Sequence, residues 1–417
     1  MEQQIVIEKR GTGRRIGLGI TFIVAALAIL LLFVASTPAD LETTFTWGAR
    51  GDVLLIGDLT FNTRLFLSVM AFINGALGVW QLARGFKRQN LALGFVAFFF
   101  ILAFLTWAAR GRSMNVTGML QSTLLRSIPI VLAALSGILC ERSGVVNIGI
   151  EGMMLTGAFI SALIGSVSDN VWVGLIAALL AGGLMGAMLA VLAIRYKVDQ
   201  IIAGTAINIL ATGLTSYFSS RYLQQNAALN SPATFSGLSL PLLSRIPVIG
   251  SVLFRSTIPV YLTIILVFTI YVALFYTRWG LRTRAVGEHP RAADTLGIDV
   301  FQMRYLNVIL GGVVGGLGGA YLVLSSVARF DELMTAGKGF IGLAAMIFGN
   351  WNPIGAFGAS LIFGFADSLQ TKLAIMQVPI PSQFLLMAPY LVTMIVLAGV
   401  VGRTRAPAAD GQPYEKE

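Results

Sequence analysis

Apolar runs of roughly 20 residues, repeated along most of its length, limit what this chain can fold into. A helix of that length rises about 30 Å, the thickness of a bilayer's hydrocarbon core. Of the 417 residues, 56% are hydrophobic and 12% are charged. An ordinary soluble domain carries about 25% charged residues. Soluble cores could not enclose so many long apolar runs. The runs therefore read as membrane helices, and the fold class as all-α: a polytopic transmembrane helix bundle.

Candidate spans lie near 16–36, 61–83, 91–109, 118–140, 148–166, 171–194, 200–222, 258–277 and 303–327. Residues 339–349 (GFIGLAAMIFG) would rise only about 16 Å, too little to cross alone. The stretch Asn350-Trp351-Asn352-Pro353 then stops a helix, since proline disfavours helix in the residue before it. Two more spans follow near 353–371 and 384–402, for about 10–12 membrane segments including a short or broken one. The first run is too long for a cleavable signal's apolar stretch.

An even number of spans places both termini on one side. With both termini cytoplasmic, the interior segments hold most of the 29 Lys and Arg, including Arg14, Arg15, Lys87, Arg278, Arg282 and Arg284. That bias fits the rule that basic loops stay inside. Arg110 and Arg112 oppose it at the third span. Residues 223–257 then form the longest extracytoplasmic loop. The tail after Arg405 (APAADGQPYEKE) is short, polar and bears Pro and Gly, and it reads as disordered.

Other classes are excluded by what is missing. One Cys (Cys140) and one His (His289) build neither an internal disulfide nor a metal site. No acid pair or nucleophile–base arrangement stands at working spacing, so no catalytic residues, no metal and no cofactor are expected. The net charge of +10 is explained by loop orientation and does not call for nucleic acid. No phosphate-binding loop occurs. Gly182, Gly183 and Gly186, and the pairs from Gly311 to Gly319, read as close helix packing, because small residues let helix backbones approach in lipid.

Two polar stretches stand out. In 137–156 (GILCERSGVVNIGIEGMMLT), Glu141 and Arg142 read as a turn between spans. Asn147 and Glu151 are four apart and would share a helix face, while Gly149 and Gly152 thin that helix. Glu151 either sits in a first turn, favoured by the helix dipole, or faces a polar path through the membrane. Both readings stand at this point. In 287–298 (GEHPRAADTLGI), Pro290 suits a first helical position and Gly297 a helix stop. The two-turn helix between them would carry Ala292, Ala293 and Leu296 on one side. It is too short to be stable alone, so it docks on a partner or lies on lipid headgroups.

Together these stretches resemble the permease subunit of ATP-binding-cassette importers, in the branch with the ribose and branched-chain amino acid permeases. ERSGVVNIGIEGMMLTGAF (141–159) resembles the signature of simple-sugar/nucleoside permeases that work with basic-membrane-protein-type lipoproteins. GEHPRAADTLGI resembles their coupling loop, and GKGFIGLAAMIFGNWNPIGA (337–356) a third family segment. The likeness covers roughly 115–403. It implies a 1–114 extension with up to three helices and a 115–403 permease core, and leaves 404–417 as the disordered cytoplasmic tail that composition indicates.

The resemblance further implies a multi-pass protein of a prokaryotic plasma membrane that has no ATPase of its own. ATP would be used by a separate cytoplasmic ATPase subunit. A second permease subunit, favouring a heterodimer, and an extracytoplasmic solute-binding lipoprotein would complete the system. Glu288, His289, Pro290, Arg291, Ala292, Ala293, Leu296 and Gly297 would form the coupling helix, and Ala293→Glu would place a charge at the ATPase contact. Asn147, Glu151, Gly152, Thr205, Asn208 and Phe340 would line the solute path, with Phe340 either stacking on a base or packing. The expected solute is a nucleoside, and next a simple sugar. The alternative is an ion-coupled secondary transporter, since 339–353 also reads as a broken helix.

Overall fold

The computed structural model describes residues 2–48, 57–378, 384, 387 and 405–416. The chain forms two compact units. One comprises Met1–Met119, Arg245–Ser251 and Thr371–Leu385; the other comprises Leu120–Ser244, Val252–Gln370 and Leu386–Glu417.

The first unit holds helix α1 (Glu2–Ala28), which continues as a π-type turn through Val34, then strands β1 (Glu42–Thr46) and β2 (Leu59–Asn62). Helices α2 (Thr63–Ala83) and α3 (Gln89–Ala108) and strand β3 (Ser113–Asn115) follow. Asn62 Oδ1 accepts the Leu65 amide at 2.9 Å and starts α2 as an N-cap. The helices share a core of Ile29, Phe33, Leu67, Met70, Ala71 and Ala103. β1 pairs antiparallel with β2 and parallel with β3, a small sheet that the apolar pattern did not signal.

The second unit is built on α4 (Val116–Glu141), α5 (Ile150–Ser168), α6 (Val171–Ala190) and α7 (Gln200–Phe218). A two-stranded ribbon of β4 (Gly237–Ser239) and β5 (Arg255–Thr257) follows; α8 (Ile249–Leu253), which falls between the two strands in sequence, belongs mostly to the first unit. Then come α9 (Ile258–Tyr276), α10 (Arg278–Glu288), α11 (Pro290–Thr295), α12 (Val300–Tyr321), α13 (Lys338–Phe348) and α14 (Pro353–Ile375).

Nine helices among the described residues are long and apolar enough to cross a membrane. α13 is the short segment expected at 339–349. α14, which covers the span expected at 353–371, is not among the nine. The expected span at 384–402 lies outside the described residues, apart from Phe384 and Met387.

The glycine runs do what the sequence suggested. A Cβ on Gly182 or Gly316 would collide with the backbone of the facing helix, and one on Gly186 would meet Val308 O at 2.8 Å. α6 and α12 therefore touch backbone to backbone, where dispersion and packing drive association between helices in lipid. α4 lies deepest in this unit, with Ile128, Leu132, Leu135 and Ile138 fully buried.

The helix break at 350–353 is built as expected. Asn350 (φ 55°) and Trp351 (φ 52°) are both left-handed, a conformation unfavourable for residues with a Cβ. Asn352 Oδ1 then caps α14 by accepting the Ile354 amide at 2.9 Å. The Glu141–Arg142 turn holds this break in place. Glu141 accepts the Trp351 indole N–H at 2.6 Å, and Arg142 Nε donates to Trp351 O at 3.0 Å.

The tail departs from expectation. Residues 405–416 are ordered against the end of the unit that carries α10 and α11, with Pro407, Ala409 and Tyr414 buried. Composition flagged the segment as polar, but one aromatic ring and a series of backbone hydrogen bonds suffice to fix it.

Candidate functional site

The residues expected to line a path are mostly engaged with neighbouring helices. α5 begins only at Ile150, so Asn147 precedes the helix and does not share a helical face with Glu151. Asn147 is fully buried, and its amide donates to Cys140 Sγ at 3.3 Å. Glu151 reaches across to α13: its two carboxylate oxygens accept the Gly337 amide at 2.8 Å and the Gly339 amide at 2.6 Å. A carboxylate there satisfies amides that a helix start leaves without partners and complements its positive end.

Gly152 and Asn208 meet. The Gly152 amide donates to Asn208 Oδ1 at 2.8 Å, and Asn208 Nδ2 donates to Ile148 O at 2.9 Å. The Thr205 hydroxyl turns back to Ile201 O at 2.8 Å on an exposed face of α7. Phe340 is exposed on α13. Thus the structure groups Glu151 and Phe340 at α13 and Gly152 with Asn208, while Asn147 turns to Cys140 and Thr205 lies on an exposed face of α7.

The 287–298 segment folds into the short helix that its Pro and Gly suggest. His289 Nδ1 accepts the Ala292 amide at 3.3 Å as an N-cap, with Pro290 in the first turn. At the other end the Gly297 amide donates to Asp294 O (2.8 Å) and the Ile298 amide to Ala293 O (3.1 Å). Gly297 has φ 82°, which closes a Schellman motif and explains glycine at that position.

One expectation about this helix fails. Ala292, Ala293 and Leu296 do not form one face. Ala293 is buried among Val286, Val300 and Tyr414, whereas Ala292 is exposed and Leu296 is 82% exposed. Leu296 already sits in the helix cap, where the chain turns away and carries its side chain outward. A charge at Ala293 would therefore strike this chain's own packing and not an external contact.

Sequence reading missed a polar cavity at the other end of the same unit. It has a volume of about 510 Å³ and lies among α4, α12, α13, α14 and the β4–β5 ribbon. Small-molecule sites span roughly 300–1,000 Å³. Arg126 of α4 pairs with Asp367 of α14 at 2.9 Å on its wall. Lys338, Arg255 and Tyr321 also line it. Tyr321 donates its hydroxyl to Leu125 O at 2.8 Å and presents its remaining lone pairs.

Ser256 Oγ and Ser325 Oγ, on the same wall, are buried without a hydrogen-bond partner among the described residues. The cavity offers donors and acceptors of both signs and suits a solute rich in hydroxyl and heteroatom groups. The signal was present in the sequence. Arg126 and Asp367 are opposite charges inside apolar runs, and such residues tend to pair around a water-filled path.

A family model described as branched-chain amino acid transport system / permease component matches residues 119–401. The chain is 43% identical over 309 residues to the guanosine ABC transporter permease protein NupQ of Bacillus subtilis (strain 168), covering 71% of this chain and 95% of that protein. It is 42% identical over 320 residues to the nucleoside ABC transporter permease protein NupC of Lactococcus lactis subsp. cremoris, covering 73% and 99%. A second B. subtilis protein, the guanosine ABC transporter permease protein NupP, is 26% identical over 252 residues, covering 58% and 70%. No solved structure matches.

Proposed function

This chain belongs to the branched-chain amino acid transport system / permease component family, and on that premise we propose that it carries a nucleoside inward as one permease of an ATP-driven importer. It is a permease subunit, with ATP hydrolysis left to a separate protein. The observation that carries the solute reading is the polar cavity, lined by paired charges, hydroxyls and a tyrosine, in a chain 42% identical over nearly the whole of a protein named for nucleoside transport. A nucleoside is neutral, and its ribose hydroxyls and base edge need both donors and acceptors.

The α11 end then faces the cytoplasm, and α11 is the element an ATPase would grip. The cavity and the β4–β5 ribbon face outward, where a solute-binding lipoprotein would release its load. α4, α12, α13 and α14 connect the two ends, so a tilt imposed at α11 can change access to the cavity. A solute shifts that equilibrium only through its different affinity for the two states. The second permease is proposed to be a different chain, because B. subtilis has two distinct guanosine permease proteins similar to this one. Residues 1–114 are proposed to be an extension outside the core, since the family match begins at residue 119.

The test is reconstitution. The chain would be placed in liposomes with its ATPase, partner permease and binding protein, and radiolabelled guanosine uptake followed with and without ATP. ATP-dependent uptake suppressed by unlabelled nucleosides and not by simple sugars is the expected result. Uptake by the lone chain under an ion gradient would instead support a secondary carrier.

A further inference from the structure

We propose that residues 405–416 are a positioning element that holds the coupling helix α11 in the pose an ATPase engages. The inference rests on the permease reading above and extends it to a segment beyond the family match, which ends at residue 401.

The segment is fastened along its length. The Arg405 amide donates to Asn350 Oδ1 (3.1 Å), the Ala408 amide to Glu288 Oε2 (3.3 Å) and the Ala409 amide to Gly287 O (2.9 Å). Arg304 at the base of α12 donates to Gln412 O at 2.9 Å. Tyr414 is buried with Val286, Ala293 and Val300, its ring 5.3 Å from that of Phe301. Lys416 lies 3.6 Å from Asp294 on α11, and Glu415 lies 2.5 Å from Lys197. The segment thus ties together the helix break at 350–353, the end of α10, α11 and the start of α12.

α11 needs such a brace. A six-residue helix has no stability of its own. Of its side chains, Ala293 alone is buried, and a single methyl group fixes little. Tyr414 supplies the large apolar surface that Ala293 lacks. Arg304 is 1% exposed, and its Nε and second terminal nitrogen have no hydrogen-bond partner among the described residues. The Asp410 carboxylate opposes its charge. Removing the segment would strip this buried cation of its bonded carbonyl, a costly arrangement.

A groove of about 400 Å³ lies between the segment and α11, lined by Glu288, His289 and Arg291 on one side and by Gln412, Pro413 and Tyr414 on the other. The surface offered beside the coupling helix is therefore composite, made by two stretches more than 100 residues apart in the chain.

The experiment uses the assembled importer in liposomes, with guanosine uptake and ATP hydrolysis measured per complex. Deleting residues 406–417 is expected to lower uptake per ATP hydrolysed at least about tenfold. Tyr414→Ala should lower maximal uptake several-fold without changing the half-saturating guanosine concentration. Tyr414→Phe should restore it, because the ring is what packs. A segment that merely stabilises the fold would reduce the amount of assembled complex and leave turnover per complex unchanged, and that result would overturn the proposal.

A second measurement addresses a segment that must leave for transport. Cysteines at Lys197 and Glu415, joined by a cleavable thiol cross-linker of matching reach, should leave uptake intact. Blocked uptake, recovered on cleavage, would overturn the proposal. So would full coupling in the truncated complex. Absence of ATP-driven uptake in the full-length complex would overturn the permease reading itself, and this proposal with it.

Discussion

Glu151 opens the residue scale because its chemistry separates two roles that sequence left open. Its carboxylate accepts two amides at the start of α13, at 2.8 and 2.6 Å. Glu151→Ala should lower stability by about 1–3 kcal/mol, the penalty for leaving charge-assisted bonds unmade, seen as a lower midpoint of thermal unfolding in detergent. Glu151→Gln keeps one acceptor and should recover part of that loss. Transport abolished by Glu151→Gln at unchanged stability would point to a path role instead. The Arg126–Asp367 pair yields a different expectation. Both side chains remain partly exposed, so the pair contributes little to stability. Asp367→Asn should therefore spare assembly while cutting guanosine uptake about tenfold, about 1.4 kcal/mol at the transport barrier. The charge-exchanged double variant Arg126→Asp/Asp367→Arg should regain part of it.

At the scale of elements, α11 shows what one-dimensional patterning reads and what it does not. Pro290 and Gly297 announced the helix's first turn and its stop, because each carries a local backbone constraint that no tertiary contact is needed to express. The facing of Ala293 was not legible. It depends on Tyr414, over 100 positions away in sequence, and on Leu296 falling in the cap. Asn147 failed for a related reason, since the helix that would have aligned it with Glu151 starts three residues later. The two substitutions on α11 should therefore behave oppositely. Ala293→Glu buries an unpaired charge inside this chain and should lower its own thermal midpoint. Leu296→Glu should leave that midpoint unchanged and reduce the ATPase recovered by co-purification. If both variants lose the ATPase with an unchanged midpoint, the inward placement of Ala293 is wrong.

For the whole molecule, the bundle itself was readable because long apolar runs and paired glycines carry their meaning in composition and spacing alone. Of the cavity only the opposite charges of Arg126 and Asp367 carried a signal, because its wall is assembled from distant elements, and the docked tail carried none, because backbone hydrogen bonds and one buried ring hold it. Asp410 lets the docked tail be tested by pH. Burial raises its carboxyl from 3.8 to about 6, opposed by a hydrogen bond with Glu141 of α4, the Gly411 backbone and the charge of Arg304 on α12. An acid whose value is raised in the docked state binds its proton more tightly there than when released. Docking is therefore strongest below pH 3.8, weakens as pH rises toward about 6, and is constant above that range. Hydrogen exchange at the Ala409 amide, which donates to Gly287 O, should be better protected at pH 5 than at pH 7.5 once intrinsic rates are corrected. Asp410→Asn removes the tail's own titrating group and should shrink the difference in protection between the two pH values. Wild-type protection that instead increases from pH 5 to 7.5 would show that the ionised carboxylate, through Arg304, holds the segment in place.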